Sequence, residues 1–207
     1  MTSSIYNSAT GTQSPHCIHA IGVGRTGAAY IEALLRTGEV EDLLADPRAT
    51  FACMVVDIGD QDMAVAIDYA NSFKQRLQSR GIPADRFNFQ AVALPVPERQ
   101  EFFEGVNRTR GFLKLEDPRY YWNPNFESYV SHKIKLPEAG SHFPRLVAKG
   151  IYANAYYAGE RPMDKALRSF VDTVEKATLP SMVLVPFSIA GGTGSGMVVD
   201  LARHLSN

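Results

Sequence analysis

The segment Ser181–Asn207 constrains the fold of this chain most, because three different patterns follow one another in it. Ser181–Ile189 is an apolar run of strand length, Ala190–Gly196 (AGGTGSG) has four glycines in seven residues, and Met197–Leu205 has apolar residues at helical spacing. This order predicts a buried strand, a glycine turn and an amphipathic helix, which together form a phosphate-binding unit. Glycines let the backbone approach an anion closely, and the helix dipole adds positive potential there.

The candidate binding residues of this glycine turn are all small. They are Gly191, Gly192, Thr193, Gly194, Ser195 and Gly196. Thr193 and Ser195 would add hydroxyl donors to the backbone N–H groups. The alternative is a tight corner that binds nothing, but four glycines cost more chain entropy than a corner requires. We therefore expect Gly194→Val to abolish binding by placing a side chain where a phosphate must approach.

A second strand–glycine–helix unit lies near the start of the sequence. Cys17–Val23 fits a buried strand, and Ala28–Leu35 has apolar residues on one helical face. Between them the GxGxxG pattern supplies the candidate residues Gly22, Gly24, Arg25, Thr26 and Gly27. Alone, this pattern fits a dinucleotide fold, a mononucleotide fold or a coincidence. Arg25 could reach a phosphate or could be a solvated loop charge.

An acidic residue follows the next apolar run. Phe51–Val56 reads as a buried strand, and Asp57 comes directly after it. In an open parallel sheet, the carboxyl ends of the strands face the ligand. Asp57 could hold a ribose hydroxyl, or Mg²⁺ through water. For Asp60 and Asp62 we expect turn or helix-capping roles.

Strands alternate with helices in the order βα-βα-βα, then an irregular excursion, a helix and a final βα unit. This order predicts an α/β, Rossmann-like three-layer fold with a mainly parallel sheet, truncated after the GGTGSG loop and its helix. Residues 1–15 are expected to be a flexible leader, and residues 16–207 a single nucleotide-binding domain. The excursion at about 112–140 is rich in aromatic residues, and Tyr120–Tyr129 could contact a protein partner or fold down as a local cluster.

Composition narrows the class of protein further. The net charge is −1, so nothing global points to nucleic acid or to a membrane surface. No apolar run is long enough for a transmembrane helix, and the polar N-terminus lacks a secretory signal, so a cytoplasmic location is expected. Cys17 and Cys53 lie in apolar runs and are expected to be buried free thiols.

The glycine motifs together resemble those of one known family. GGTGSG at Gly191–Gly196 resembles the signature of the tubulin/FtsZ superfamily of GTPases, and Ile21–Leu35 is similar to the first glycine loop and helix of FtsZ. Val55–Met63 is similar to the loop after the second strand, with Asp57 where FtsZ-like proteins often have Asn. Gly140–Arg145 resembles more weakly the loop that senses the γ-phosphate. The aromatic excursion has no counterpart, which makes the chain similar to a divergent prokaryotic member.

The resemblance implies a GTP- or GDP-binding domain, with Mg²⁺ as a possible companion ion. It also implies head-to-tail self-association into filaments, in which a neighbouring subunit supplies the acidic residues that activate water. The family's guanine-reading residues, its catalytic acidic loop and its later domain lie beyond the position that matches Asn207. We therefore expect no catalytic residue here and negligible GTPase activity from this chain alone. The chain would be an excised N-terminal part, or the remainder would be a separate chain.

Two other functions stay open at the level of sequence. One is an NAD-binding Rossmann oxidoreductase domain, although Asp57 lies 30 residues beyond Gly27, more than the usual spacing of about 20. The other is a non-hydrolysing interaction module that retains the glycine loop for structural reasons. A P-loop NTPase is disfavoured because the sequence contains no GxxxxGK[ST] motif.

Overall fold

A computed structural model describes residues 17–106 and 135–206 of the chain. The leader at 1–15, most of the excursion at 112–140 and its Tyr120–Tyr129 segment lie outside the described residues. The described strands and helices, in chain order, are β1 (Cys17–Val23), α1 (Gly24–Arg36), α2 (Glu39–Leu43), β2 (Phe51–Ile58), α3 (Ala64–Ser79), a 3₁₀ turn (Ala84–Arg86), β3 (Phe87–Leu94), α4 (99–106), α5 (Arg145–Tyr157), α6 (Pro162–Glu175), β4 (Ser181–Leu184) and α7 (Gly192–Leu205).

The four strands form one parallel sheet in the order β3-β2-β1-β4. β2 is buried along its whole length, as expected for an apolar strand with helices on both faces. The chain runs from β1 through β2 to β3 on one side, and then crosses to β4 on the other side of β1. The predicted α/β Rossmann-like architecture with a parallel sheet is confirmed, and the order places a topological switch point between β1 and β4.

Alternate residues of the strands face two separate hydrophobic clusters. On one face, Cys53 and Val55 of β2 pack against α1, α2 and α3. On the other face, Met54 and Val56 pack against α5, α6 and α7. This alternation, at the two-residue period of a strand, produces the three layers of the fold. Cys17 and Cys53 are buried free thiols, as predicted.

The last strand is shorter and more exposed than the sequence indicates. An apolar run at Ser181–Ile189 predicts a buried strand, but the ladder with β1 covers only Ser181–Leu184, and these residues are exposed or half-buried. Pro186 has no N–H to continue the ladder. Its carbonyl still accepts the Val23 N–H at 3.0 Å, and an isolated bridge pairs Val23 with Phe187. The backbone therefore follows β1 to its end without forming a regular strand.

Both glycine segments are helical where the sequence predicts turns. α1 begins at Gly24 and α7 at Gly192, so most of each glycine motif forms the first turns of a helix. In α7 the glycines allow close packing: the Phe143 carbonyl lies against Cα of Gly192, and a Cβ atom at Gly196 would lie 2.5 Å from the Arg145 carbonyl oxygen. Glycine at these positions lets α7 approach the start of α5.

Polar contacts fix α7 against α5 further along both helices. Lys149 forms an ion pair with Asp200, which is buried and only 4% exposed. The Tyr152 hydroxyl lies 2.9 Å from Nδ1 of His204, and burial lowers the pKa of His204 to about 3. These contacts fix the position of α7 against α5, and therefore the position of the first turn of α7.

No helix among the described residues is both long enough and apolar enough to cross a membrane.

Candidate functional site

A cavity of about 350 Å³ lies at the carboxyl ends of β1, β2 and β4. Its wall is formed by the first turns of α1 and α7, the end of β2 with the loop that follows it, and the loop before α5. The lining residues are Val23, Gly24, Arg25, Thr26, Asp57, Ile58, Asp62, Gly140, Ser141, His142, Phe143, Ser188, Gly191, Gly192, Thr193 and Gly194. This volume lies within the range of roughly 300–1,000 Å³ that is usual for ligand sites.

The cavity occupies the switch point of the sheet, because β1 and β4 are the neighbouring strands whose connections leave in different directions. Open α/β sheets leave a crevice at this point, and ligands bind there. Gly24–Thr26 follow β1, and Gly191–Gly194 follow the segment that begins with β4. The two glycine segments, 167 residues apart between Gly24 and Gly191, thus share one wall of one cavity.

The first turns of α1 and α7 are in contact with each other. Gly24 has a φ of +71°, and a Cβ atom on it would lie 3.3 Å from the backbone nitrogen of Gly194. Neither helix has a capping side chain or an acidic residue in its first turn. The N–H groups at both helix starts can therefore donate to a ligand, and both dipoles favour an anion.

Ser188 shapes the backbone that leads into α7. Its hydroxyl accepts the N–H of Ala190 at 3.2 Å and that of Gly191 at 3.3 Å. Arg145 supports the same turn from outside, because its Nη2 donates to the Ile189 carbonyl at 2.6 Å. Sequence patterns did not single out Ser188, and a serine three residues before a glycine-rich helix start is the available signal.

Not every candidate glycine faces the cavity. Gly22 and Gly27 pack against each other, so closely that a Cβ atom on Gly22 would overlap the Gly27 carbonyl. Gly192 lines the cavity, but its Cα also packs against the Phe143 carbonyl, and Gly196 packs against Arg145 and Ala148 outside the cavity lining. Ser195 likewise lies outside the lining, and its hydroxyl donates to the Gly191 carbonyl.

Gly194 packs closely against other protein atoms, whereas its place in the glycine turn suggests that a side chain there would meet only a phosphate. A Cβ atom there would lie 3.1 Å from the Val23 carbonyl oxygen and 3.2 Å from Cβ of Phe187. The side chain of a Gly194→Val variant would therefore meet protein atoms first. That substitution disturbs packing as well as any ligand contact, so it cannot isolate binding.

Two carboxylates lie on the β2 side of the cavity. Asp57 belongs to β2 itself, opposite Ala93 of β3, and is 7% exposed. One of its oxygens, Oδ1, accepts the Ile58 N–H at 2.7 Å. Burial raises the pKa of Asp57 to about 6, and the charge of Asp62 acts in the same direction. Perturbed carboxylates of this kind are frequent at functional sites.

The loop before α5 reaches the cavity by packing on the loop after β2. Gly59 and Gly140 both have positive φ, at +83° and +79°. A Cβ atom on Gly59 would lie 2.9 Å from Cβ of Ala139, and the Gln61 side chain covers Cα of Gly140. These contacts bring Ser141 and His142, both exposed, into the cavity lining. Sequence reasoning linked this loop to phosphate only through the family resemblance.

The cavity is suited to an anionic group, and its metal-binding capacity is limited. Within residues 17–106 and 135–206, no group of three or more His, Cys, Asp or Glu side chains is arranged to hold a metal ion. A Mg²⁺ ion here would take most of its ligands from phosphate oxygens and water, as Mg²⁺ commonly does. Asp57 and Asp62 are the carboxylates in the lining that could contribute.

Comparison of the chain with protein-family models, with curated proteins and with solved structures gave no match.

Proposed function

We propose that this chain is the GTP- and GDP-binding domain of a tubulin/FtsZ-like cytoskeletal GTPase that assembles head to tail in the cytoplasm. The observation that carries the proposal is the cavity at the switch point, where the glycine-rich first turns of α1 and α7 meet. A cavity with two converging helix starts favours a ligand with more than one phosphate, because each start can hold one phosphate group.

The side chains around these helix starts support a phosphate ligand. Thr26 and Thr193 add hydroxyl groups to the lining, and Arg25 adds a positive charge. Ser188 holds the approach to α7 through two backbone N–H groups, so the cavity wall is shaped before a ligand arrives. A preformed wall reduces the entropy that binding must overcome.

Guanine as the base, and head-to-tail assembly, rest on the resemblance of GGTGSG to the family signature. By that resemblance, the acidic residues that activate water come from a neighbouring subunit. Because hydrolysis then needs a subunit contact, the unassembled chain is expected to bind nucleotide and to hydrolyse it negligibly. Mg²⁺ would act by neutralising the phosphate oxygens and fixing their positions.

Calorimetric titration of the purified chain with GDP, GTP, ATP and NAD tests the proposal. Thr193→Glu is the most informative variant, because an acidic residue in the first turn of α7 favours the helix but repels a bound phosphate. Thr193→Gln is its matched control, since it has nearly the same shape without the charge. We expect Thr193→Glu to lower GDP affinity at least about 100-fold and Thr193→Gln to change it only a few-fold.

Three outcomes would contradict the proposal. Binding of NAD without binding of GDP would indicate an oxidoreductase domain. Absence of binding by every nucleotide, in a chain with a cooperative unfolding transition, would favour an interaction module. Equal affinities of Thr193→Glu and Thr193→Gln would show that the anion does not lie at the start of α7.

A further inference from the structure

An ion pair between Arg25 and Asp62 lies at the cavity. Nε of Arg25, in the first turn of α1, lies 3.5 Å from Oδ1 of Asp62, in the loop after β2. Both side chains also line the cavity. The Arg25 side chain is 85% exposed and that of Asp62 is 37% exposed. The separation is longer than a normal hydrogen bond, and solvent screens the attraction because both side chains are exposed. The pair therefore contributes little to stability.

The chain also contains an ion pair of the opposite kind. Nε of Arg76 lies 2.5 Å from Oε1 of Glu41, whose side chain is 2% exposed. Nη2 of Arg76 donates to the Leu35 carbonyl at 2.6 Å, which holds the guanidinium in place. Separating that pair would leave a buried carboxylate without its partner, which is costly. Within residues 17–106 and 135–206, Arg25 has no second anchor of this kind, so it can leave Asp62 at little cost.

The charges of the lining explain why Arg25 would move. Among the described lining residues, Arg25 is the single Lys or Arg side chain; it pairs with Asp62 and shares the lining with Asp57. The backbone N–H groups of the two helix starts can serve two phosphates. A third phosphate would add negative charge to a cavity in which Arg25 is the Lys or Arg side chain able to pair with it.

We propose that Arg25 exchanges Asp62 for the terminal phosphate of a nucleoside triphosphate, and that the pair thereby sets the preference of the site for triphosphate over diphosphate. This inference rests on the proposed nucleotide-binding function. With a diphosphate bound, Arg25 stays on Asp62 and shields its charge. With a triphosphate bound, Arg25 contacts the terminal phosphate, whose charge exceeds that of a carboxylate.

The test compares GTP and GDP affinities by calorimetry in the presence of EDTA, so that no metal ion neutralises the third phosphate. Arg25→Ala should lower GTP affinity about tenfold more than GDP affinity. Asp62→Asn should raise GTP affinity about threefold to fivefold, because it removes a repelling charge and releases Arg25. Both changes should shrink in high salt, because the charges are exposed.

Arg80 and Asp42 provide the matched control, since they form an exposed pair at 3.0 Å outside the cavity lining. Arg80→Ala and Asp42→Asn make the same charge changes and should leave the ratio of GTP to GDP affinity unaltered. Equal loss of GTP and GDP affinity in Arg25→Ala, or reduced GTP affinity in Asp62→Asn, would overturn this inference alone. A wild-type chain that binds neither nucleotide would overturn the proposed function as well.

Discussion

Gly24 and Gly194 stand so close that a Cβ atom on Gly24 would lie 3.3 Å from the backbone nitrogen of Gly194. This contact joins the first turn of α1 to the first turn of α7 at the switch point of the sheet. The positive ends of two helix dipoles therefore act on the same volume, which a single helix start could not achieve.

Gly24→Ala should weaken both the fold and the site. Gly24 has a φ of +71°, a conformation that costs an L-residue about 1–2 kcal/mol, and the added methyl would also press on Gly194. Denaturant unfolding and GDP titration would measure the two effects, and we expect an affinity loss of about tenfold.

Gly81→Ala separates the backbone cost from the contact. Gly81 has a similar φ of +69°, and no atom lies within 4 Å of a Cβ placed on it. We expect Gly81→Ala to destabilise the chain by about 1–2 kcal/mol and to leave GDP affinity unchanged. A Gly24→Ala variant that behaved like Gly81→Ala in both measurements would contradict the importance of the contact.

Asp57→Asn should stabilise the ligand-free chain at high pH. Burial raises the pKa of Asp57 to about 6 from 3.8, so the folded state binds more protons than the unfolded state between these values. The stability associated with the protonated carboxyl is present at pH 4 and is lost as the pH rises through about 6. At pH 8 the amide variant should gain about 1–3 kcal/mol, and at pH 4 it should gain almost nothing.

Urea unfolding of wild-type and Asp57→Asn proteins at both pH values would measure this difference. Asp60→Asn is a suitable control, because Asp60 is exposed in the loop after β2. An equal effect of Asp57→Asn at both pH values would show that charge burial is not the cause.

His19 should make the fold sensitive to acid. It is fully buried, its Nδ1 accepts the Ala52 N–H at 3.0 Å, and its Nε2 lies 3.3 Å from the Ser181 hydroxyl. Burial lowers the pKa of His19 to about 4, so stability is complete above pH 6.5 and falls as the pH drops toward 4. Between pH 7.5 and pH 5 we expect a loss of about 2 kcal/mol from this residue.

His19→Asn would test this assignment, because its side-chain oxygen can accept the Ala52 N–H but does not titrate. The pH dependence of urea unfolding should become shallower in this variant. His204, with a pKa lowered to about 3, remains as a second acid-sensitive group, so some dependence should persist. An unchanged slope between pH 7.5 and pH 5 would exclude His19 as the source.

Local patterns predicted much of the fold because most elements are decided by short stretches of sequence. The apolar run at Cys17–Val23 forms a strand with the predicted bounds, and the run at Phe51–Val56 forms β2, which extends two residues further to Ile58. The final strand differs from the prediction, because the apolar character of Ser181–Ile189 favours a longer strand, whereas Pro186 within the run is a signal that the ladder ends early. The glycine segments are predicted as turns because glycine suits a turn that approaches an anion closely, whereas in the fold most of each segment forms the first turns of α1 and α7.

The site was predictable where it lies close to a strand end in sequence. Arg25, Thr26, Asp57 and Thr193 line the cavity, and each follows or ends a strand or the segment that extends one. His142 reaches the cavity because Gln61 packs on Gly140, and a contact between such distant residues leaves no local pattern. The pairing of Arg25 with Asp62 is likewise a property of the folded chain.

The close packing of Gly22 on Gly27, and of Gly192 on Phe143, has an evolutionary consequence. These glycines are needed to assemble the sheet and its helices whether or not a ligand binds. A descendant that lost its ligand would therefore still retain them under selection for folding alone. Substitutions would accumulate first at the residues whose side chains line the cavity, which include Arg25, Thr26 and Thr193. The identity of these residues is therefore a better indicator of ligand binding than the presence of the glycines.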